Sequence, residues 1–525
     1  MLKFRCLLRP AIVLFCFALA ACSRSGPEFT IVSGSENDVL EPIVMEFCRS
    51  RGAQCTMRYA GSLDIALSLK PGSQIDADAV WPASSIWIDV FDEARRVKAA
   101  RSIAQMPVIL GVRRSRAEAL GWIGRPVKMA DILAAVEAKQ LSFLMSSATQ
   151  SNSGAAAYLA MLGAALGKTD LIEAGDLDGQ KIQDVVRRML AGVARTAGSS
   201  GWLADLFVES EARGTRYDGM WNYEAVIKGT NAKLRSAGQE PLYAIYPVDG
   251  VAMADSPLGF VDRGRGQEVE DFFRDLQAHL LSSAAQERIA STGRRSESAR
   301  LTQSPDDRTD NLDPSRQLAI IRPPDAAVIR KALIIYQEVL RRPSLSALCL
   351  DVSGSMEGAG EEQLLEAMRF LLSPDRTREL LVQWTKADII LVLPFNSRVL
   401  WVERISGDPA AQSRLLQRTL ALRAGGGTDF YGCAERALAE LLPLVQDSPH
   451  LPAIVIMTDG KSEGSIAGFQ RAHDAAGGKV PVFGITFGDG VDRRQLDILA
   501  KLTGGRVFDG TKSLSDAFRA VRGYN

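Results

Sequence analysis

Three short segments in the C-terminal third carry side chains suited to a hard cation. Asp351-Val352-Ser353-Gly354-Ser355 offers a carboxylate and two hydroxyls, Gly425-Gly426-Gly427-Thr428-Asp429 a hydroxyl and a carboxylate behind three glycines, and Thr458-Asp459-Gly460 one more of each. Oxygen ligands of this kind suit Mg2+ or Mn2+, and Mg2+ keeps water-filled positions that a partner carboxylate can take. The glycines let the backbone turn sharply and crowd several ligands around one ion. Each segment also has an ordinary reading: D-x-S-x-S recurs in turns, Asp459 can cap a helix, and the glycines can form a plain flexible turn. Catalysis fits poorly, because the three loops hold no His or Glu base, the chain has no G-x-S-x-G turn, and its three histidines are His279, His450 and His473.

Such loops need strands and helices to hold them together. Leu345–Leu350, Ile389–Phe395, Ile454–Met457 and Val480–Phe487 are apolar runs of buried-strand length. Amphipathic segments at 361–372, 431–444, 466–476 and 493–502 alternate with them. This pattern predicts an α/β, doubly wound, mostly parallel sheet covered by helices on both faces, with functional groups in loops at the carboxyl ends of the strands. Residues 344–525 resemble the von Willebrand factor type A family, through D-x-S-x-S, a Thr in a GGT context and a strand-terminal Asp. That resemblance implies a Rossmann-like fold and a metal-ion-dependent adhesion site. Its ligands would be Asp351, Ser353, Ser355, Thr428 and Asp459, with Asp429 behind them, and it would bind a protein partner that presents an acidic residue to the metal.

Strand-like and helical patterns also alternate from Phe29 to about residue 290, which again predicts α/β. Residues 29–293 resemble two-lobed bacterial extracellular solute-binding proteins. The likeness is carried in order by Ser33-Gly34-Ser35, Ala60-Gly61-Ser62-Leu63-Asp64, Val80-Trp81-Pro82-Ala83-Ser84, Ser151-Asn152-Ser153-Gly154 and Tyr246-Pro247-Val248-Asp249-Gly250. It implies a cleft for a small solute, with lobe crossings at Met106-Pro107-Val108 and Ile245-Tyr246-Pro247. Ser35, Ser62, Ser84, Ser151 and Ser153 become candidate ligand contacts, since hydroxyls and free N–H groups at helix starts bind anions without a basic side chain. The commoner role of each serine is an N-cap. Trp221 and Tyr223 either line the same cleft or belong to the core. Between the two regions, 294–343 reads as a polar linker, Arg294 to Arg316, and a connecting helix with Val328, Ala332, Ile335 and Val339 on one face.

The N-terminus reads as a secretory signal over residues 1–21. Lys3, Arg5 and Arg9 precede an apolar run from Ala11 to Ala21, too short for the roughly 20 residues that span a bilayer. Leu19-Ala20-Ala21-Cys22 resembles the bacterial lipobox, which implies a lipid on Cys22 and a tether over 22–28; the alternative is an ordinary signal in which Cys22 is incidental. Ser23 favours the outer membrane of the cell envelope, facing the periplasm or the surface, if the source is Gram-negative. Of seven cysteines, Cys6 and Cys16 leave with the signal. Cys48 and Cys55 can form a local disulfide in an oxidising compartment, whereas Cys349 and Cys433 read as small core residues rather than a redox pair. Lys+Arg and Asp+Glu balance at 62 each, so the chain has no electrostatic footprint for nucleic acid.

Together these features predict a non-enzymatic, lipid-anchored binding protein with two recognition surfaces. The alternatives are the solute-capture subunit of an ABC-type importer, or a ligand-gated sensor or scaffold in which lobe closure alters the metal module. A metal-dependent hydrolase is the remaining class.

Overall fold

In the computed structural model the described residues are 26–523, apart from 74, 169–170, 297–301, 447, 489–491 and 512–513. The signal segment and Cys22 lie outside them. Among the described residues the strands, in chain order, are β1 Glu28–Gly34, β2 Gln54–Ala60, β3 Ala79–Trp81, β4 Val97–Ser102, β5 Met106–Arg113, β6 Phe143–Met145, β7 Val193–Arg195, β8 Gly219–Tyr223, β9 Leu242–Ile245, β10 Met253–Ala254, β11 Pro257–Val261, β12 Ser344–Asp351, β13 Ile389–Phe395, β14 Glu403–Ser406, β15 Leu451–Thr458, β16 Val482–Thr486 and β17 Val507–Asp509.

They form three sheets. The first lobe has the order β2-β1-β3-β11-β4. The second has β10-β5-β8-β6-β7, with β9 also on β5, and the C-terminal unit has β14-β13-β12-β15-β16-β17. In the last, β12 is parallel to β13 and β15, while β14 runs antiparallel at one edge. All eight residues of β12 are buried, because neighbours flank it on both sides and helices cover both faces. Cys349 of β12 and Cys433 of helix Phe430–Val445 are both buried core residues, as expected, but they are joined by a disulfide, which corrects the reading that they do not pair; strand and helix bring them face to face with Cα atoms 6.1 Å apart. A second disulfide joins Cys48 to Cys55.

The chain enters the second lobe beside Met106, but leaves it later than Tyr246-Pro247. Pro247 bridges to Val127 and β10 still pairs with β5, so the return falls at Asp255–Ser256 before β11. There Ser256 takes a φ of 44°, and its carbonyl and hydroxyl accept from the Trp81 indole at 3.1 and 3.0 Å.

The described residues of 294–343, which leave out 297–301, do not form a loose linker. Arg294 is buried, Arg295 pairs with Glu224 at 2.8 Å, Asp307 with Lys228 at 3.0 Å, and Asp310 with Arg235 at 2.6 Å. The described part of a segment poor in apolar residues is thus held on the lobes by paired charges. Helix Ala326–Ile335 packs Val328 and Ala332 into the second lobe, where the Tyr158 hydroxyl donates to the Ala332 carbonyl at 2.9 Å. Val339 is exposed, because the next turn, Tyr336–Leu340, is π-helical. Its extra residue per turn brings Tyr336 and Leu340 inward instead.

The C-terminal unit docks directly on the lobes. Arg519, in helix Leu514–Arg522, donates to the Asp64 carboxylate of the first lobe, to the Thr149 carbonyl of the second at 2.6 Å, and to the Leu380 carbonyl of its own unit. The Gln150 amide donates to the Arg519 carbonyl in return.

Candidate functional site

Two regions carry the chemistry. At the carboxyl ends of β12 and β15, Asp351 is fully buried and each of its oxygens is engaged: Oδ1 accepts from the Ser353 N–H at 2.8 Å and Oδ2 from the Thr458 hydroxyl at 2.5 Å. The Ser353 and Ser355 hydroxyls lie 3.2 Å apart, and that of Ser355 donates to Asp459 Oδ1 at 2.9 Å. The structure therefore brings Asp351, Ser353, Ser355 and Asp459 into one chain of contacts. Burial raises the Asp351 pKa, hydrogen bonds from Ser353 and Thr458 oppose the rise, and the nearby Asp459 charge adds to it. A bound cation would relieve both desolvation and repulsion.

Thr428 enters through its loop. Gly425 N–H donates to the Val352 carbonyl at 2.8 Å, and Gly354 N–H to the Gly426 carbonyl at 2.9 Å. Gly426 has a φ of 89° and the Asn396 side chain against it, so no other residue fits that turn without strain. Asp429 is the N-cap of helix Phe430–Val445, accepting from Gly432 N–H at 2.9 Å, and it also accepts from the Ser462 hydroxyl at 3.3 Å. Three residues not expected from the sequence join this rim. Asn396 donates to the Gly425 carbonyl at 2.9 Å, Ser397 accepts from Gly427 N–H at 3.0 Å, and Glu463 N–H donates to the Thr428 carbonyl at 2.7 Å. They follow β13 and the third loop, at the same end of the sheet, which is the one signal that points to them.

The second region lies between the lobes, which are closed on each other. Leu63 N–H donates to the Gln150 carbonyl at 3.0 Å, the Trp87 indole to Asn152 at 2.7 Å, and the Ser35 hydroxyl to Ser199 at 2.8 Å. A Cβ on Gly61 would collide with the Gln150 carbonyl, so a glycine is required at this crossing point. All five candidate serines are buried. Ser62 accepts from Ala83 N–H at 2.9 Å within the first lobe, whereas Ser153 contacts Ser146 at 2.7 Å and Ser151 at 3.3 Å within the second. Ser84 instead lines a small separate cavity of ≈ 40 Å³ beside Trp87 and Asn152. Tyr223 does face the cleft, its hydroxyl accepting from Asn152 at 2.9 Å, while Trp221 packs edge-on against Phe143 in the core.

An interlobe cavity of ≈ 290 Å³ remains, lined by Ser35, Glu36 and Arg294 from the first lobe and Gly201, Ala204 and Ala225 from the second. Glu36 is 4% exposed and Arg294 1%. The Ser200 hydroxyl reaches Glu36 Oε2 at 2.9 Å, while Glu36 Oε1 and Arg294 Nε have no hydrogen-bond partner among the described residues. Burial raises the Glu36 pKa against the pull of Ser200 and Arg294, and burial pushes Arg294 down to about 10. This is a charged pocket rather than the uncharged hydroxyl cradle that the serines suggested.

The model of the family described as bacterial extracellular solute-binding protein matches residues 29–295, just over half of the 525-residue chain. The chain belongs to that family. The match ends where the second lobe's charged strap begins, so both lobes and Arg294 fall within the solute-binding protein proper. Members bind solutes rather than transform them, and their extracellular setting puts the chain in the periplasm or envelope. Among the described residues no helix is long and apolar enough to cross a membrane.

Solved structures similar to this solute-binding protein include the periplasmic binding protein AfuA from Actinobacillus pleuropneumoniae, at 14% identity and a TM-score of 0.40, covering 58% of this chain and 93% of that one. A ferric binding protein from Campylobacter jejuni aligns at 15% identity and 0.41, covering 59% and 98%. A von Willebrand factor type A protein from Catenulispora acidiphila aligns at 17% identity and 0.30, covering 35% of this chain and 42% of its own. No curated protein matches the chain.

Proposed function

We propose that this chain is a solute-capture protein of the envelope, whose two lobes close on a small solute carrying a cationic group. The carrying observation is the buried Glu36 carboxylate in the interlobe cavity, with one oxygen unpartnered among the described residues. An anion placed there would meet a like charge in a low-dielectric setting, whereas an ammonium or similar donor would satisfy it; Arg294 beside it leaves room for a zwitterion. This replaces the anion suggested by the serines alone. Delivery to an ABC-type importer fits the family and ranks above an adhesion protein.

Native mass spectrometry of the purified chain, followed by calorimetric titration of the retained compound, tests the reading: the solute should carry a basic nitrogen, and Glu36→Gln should weaken it at least about tenfold. Sulfate or phosphate binding in the cleft, undiminished by Glu36→Gln, would refute it. Glu36 has a further signature. Its folded pKa lies above the ordinary 4.5, so the protonated carboxyl favours folding, and stability falls as pH rises from about 4.5 through the folded value. Glu36→Gln should remove that slope, as read by denaturation midpoints across this range.

The C-terminal unit supports a second reading, a divalent-cation site of the adhesion type held by Asp351, Ser353, Ser355, Thr428 and Asp459. Its support is the continuous contact chain through Ser353, Ser355 and Asp459 beside a buried Asp351. These are hard oxygen donors, which fit Mg2+ or Mn2+. Such an ion would offer an open position to an acidic group on a protein partner, and anchoring through Cys22 would hold both sites at a membrane. Titrating Mg2+ should raise the melting temperature of the wild type by several degrees at concentrations about 100-fold above the dissociation constant. Asp351→Ala should abolish the rise, and an equal rise in both proteins would exclude the site.

A further inference from the structure

The C-terminal helix rests on the seam between the lobes, and one of its side chains touches both. Asp64 lies in helix Ser62–Leu67 of the first lobe, and the Leu63 N–H beside it donates across the seam to the Gln150 carbonyl at 3.0 Å. Arg519 is buried over this point. Its Nε pairs with the Asp64 carboxylate, its Nη2 donates to the Thr149 carbonyl of the second lobe at 2.6 Å, and its Nη1 donates to the Leu380 carbonyl of its own unit. The Arg519 carbonyl accepts from the Gln150 amide, and the Gly523 carbonyl, just past the helix, accepts from the Thr196 hydroxyl at 2.8 Å. Gly523 approaches so closely that a Cβ there would collide with the Gln150 side chain and with Gly198.

These bonds cannot all survive a parting of the lobes. A guanidinium presents its donors in a rigid planar fork, so Arg519 reaches Asp64 and the Thr149 carbonyl together only while the two lobes keep their closed spacing. Opening must break one of the two bonds, and a buried guanidinium that loses a charged partner is costly. Bonds made directly between the lobes join mostly uncharged groups, such as Ser35 to Ser199 at 2.8 Å and the Gly201 N–H to Ser35 at 2.9 Å. Singly, such bonds are weaker than a charge-assisted one. Lys70 of the first lobe adds a second contact, donating to the Glu379 carbonyl of the C-terminal unit at 3.4 Å.

We propose that Arg519 is a clasp by which the C-terminal unit holds the two lobes closed. Closure of the cleft and docking of the unit then form one coupled equilibrium, and the coupling is reciprocal. Whatever favours the closed lobes tightens the docking, and whatever displaces the helix opens the cleft. The effect on a captured solute rests on the capture reading above; the clasp itself does not, and it is tested without added solute.

Hydrogen–deuterium exchange of the full chain, read by mass spectrometry, provides the test. The Leu63 and Gly201 amides lie in the first turns of helices Ser62–Leu67 and Ser200–Ala212, where a helix supplies no acceptor of its own. Their protection therefore reports the bonds that cross the seam. Asp64→Asn and Arg519→Gln should each speed exchange at Gly201 about tenfold. The double variant should be no faster than Arg519→Gln alone, because the two residues form one contact. Leu63 should follow, but it neighbours Asp64, so Gly201, on a separate contact, is the decisive reading. Exchange in β1 and β12 should stay as in the wild type. Arg519→Lys, which keeps the charge but not the fork, should also accelerate Gly201 and takes the place of Arg519→Gln if that protein does not fold. Unchanged exchange at Gly201 in either single variant, or an equal acceleration in β1 and β12, would overturn the clasp. The result does not depend on the solute test of Glu36→Gln, so either idea can fall alone.

Discussion

Asp388→Ala should cost about 3–5 kcal/mol, because it strips the counter-charge from a buried cluster. Asp388 is fully buried just before β13. One oxygen accepts from the Ser344 N–H at 2.7 Å and hydroxyl at 2.9 Å, the other from the Thr385 N–H at 2.8 Å and hydroxyl at 3.1 Å, and both accept from Arg341. Arg522 approaches at 3.9 Å from the C-terminal helix, with its guanidinium 3.8 Å from the Trp384 ring centroid. One carboxylate thus ties together the start of β12, the turn before β13 and the last helix.

Burial alone would raise the Asp388 pKa, but Arg341, Arg522 and the donors around it hold it well below the usual carboxylate range. A depressed folded pKa means that the stabilisation is complete above the ordinary value of 3.8 and drains away as pH falls through the folded value. Urea denaturation should therefore show the full difference between wild type and Asp388→Ala at pH 7, and a smaller one in strong acid. A loss of less than about 1 kcal/mol at pH 7 would mean that the cluster behaves as a surface pair.

How much of this was legible in the sequence depended on whether the signal was local. The β12, β13, β15 and β16 runs are mostly apolar because each is flanked by partners on both sides, and their positions follow directly from the chain. The edge strand β14, Glu403–Ser406, reads as polar and went unseen, since one side of it faces no partner. The strap at 294–316 misled for the opposite reason: lack of apolar residues signals a linker only when the charges are unpaired, and pairing is a long-range property. The same holds for the sites. The three oxygen-rich loops are contiguous motifs, so their convergence could be expected. Glu36 and Arg294 lie 258 positions apart and meet only when the first lobe is built, with Arg294 donating to the Glu36 carbonyl. The second lobe crossing was misplaced because Pro247 marks a turn within the second lobe, and the strand that leaves it begins ten residues later at Pro257.

Loss of the Cys349–Cys433 bridge should cost about as much as loss of Asp388, by another route. The bridge closes a sequence separation of 84 residues, while Cys48–Cys55 closes 7. Loop-closure entropy of the unfolded chain then assigns ~4.5 kcal/mol to the first and ~2.4 kcal/mol to the second. Both partners of the first are buried, at 0% and 1% exposure, so Cys349→Ala/Cys433→Ala is the cleaner pair; serine would add the cost of a buried hydroxyl. Chemical denaturation of this double variant and of Cys48→Ala/Cys55→Ala, each against the oxidised wild type, should rank the C-terminal bridge first. The ranking carries a biological consequence. Cys349 leads by two residues into Asp351, and Cys433 follows Thr428 by five in the helix capped by Asp429, so the bridge fastens together the first two oxygen-rich loops. Reduction should therefore loosen the C-terminal unit more than the first lobe, and Mg2+ should recover part of the lost midpoint if those loops hold the ion. An unchanged midpoint in the Cys349→Ala/Cys433→Ala protein would mean that packing of β12 against its helix already holds the loops, and that the oxidising setting of the family is immaterial to this half of the chain.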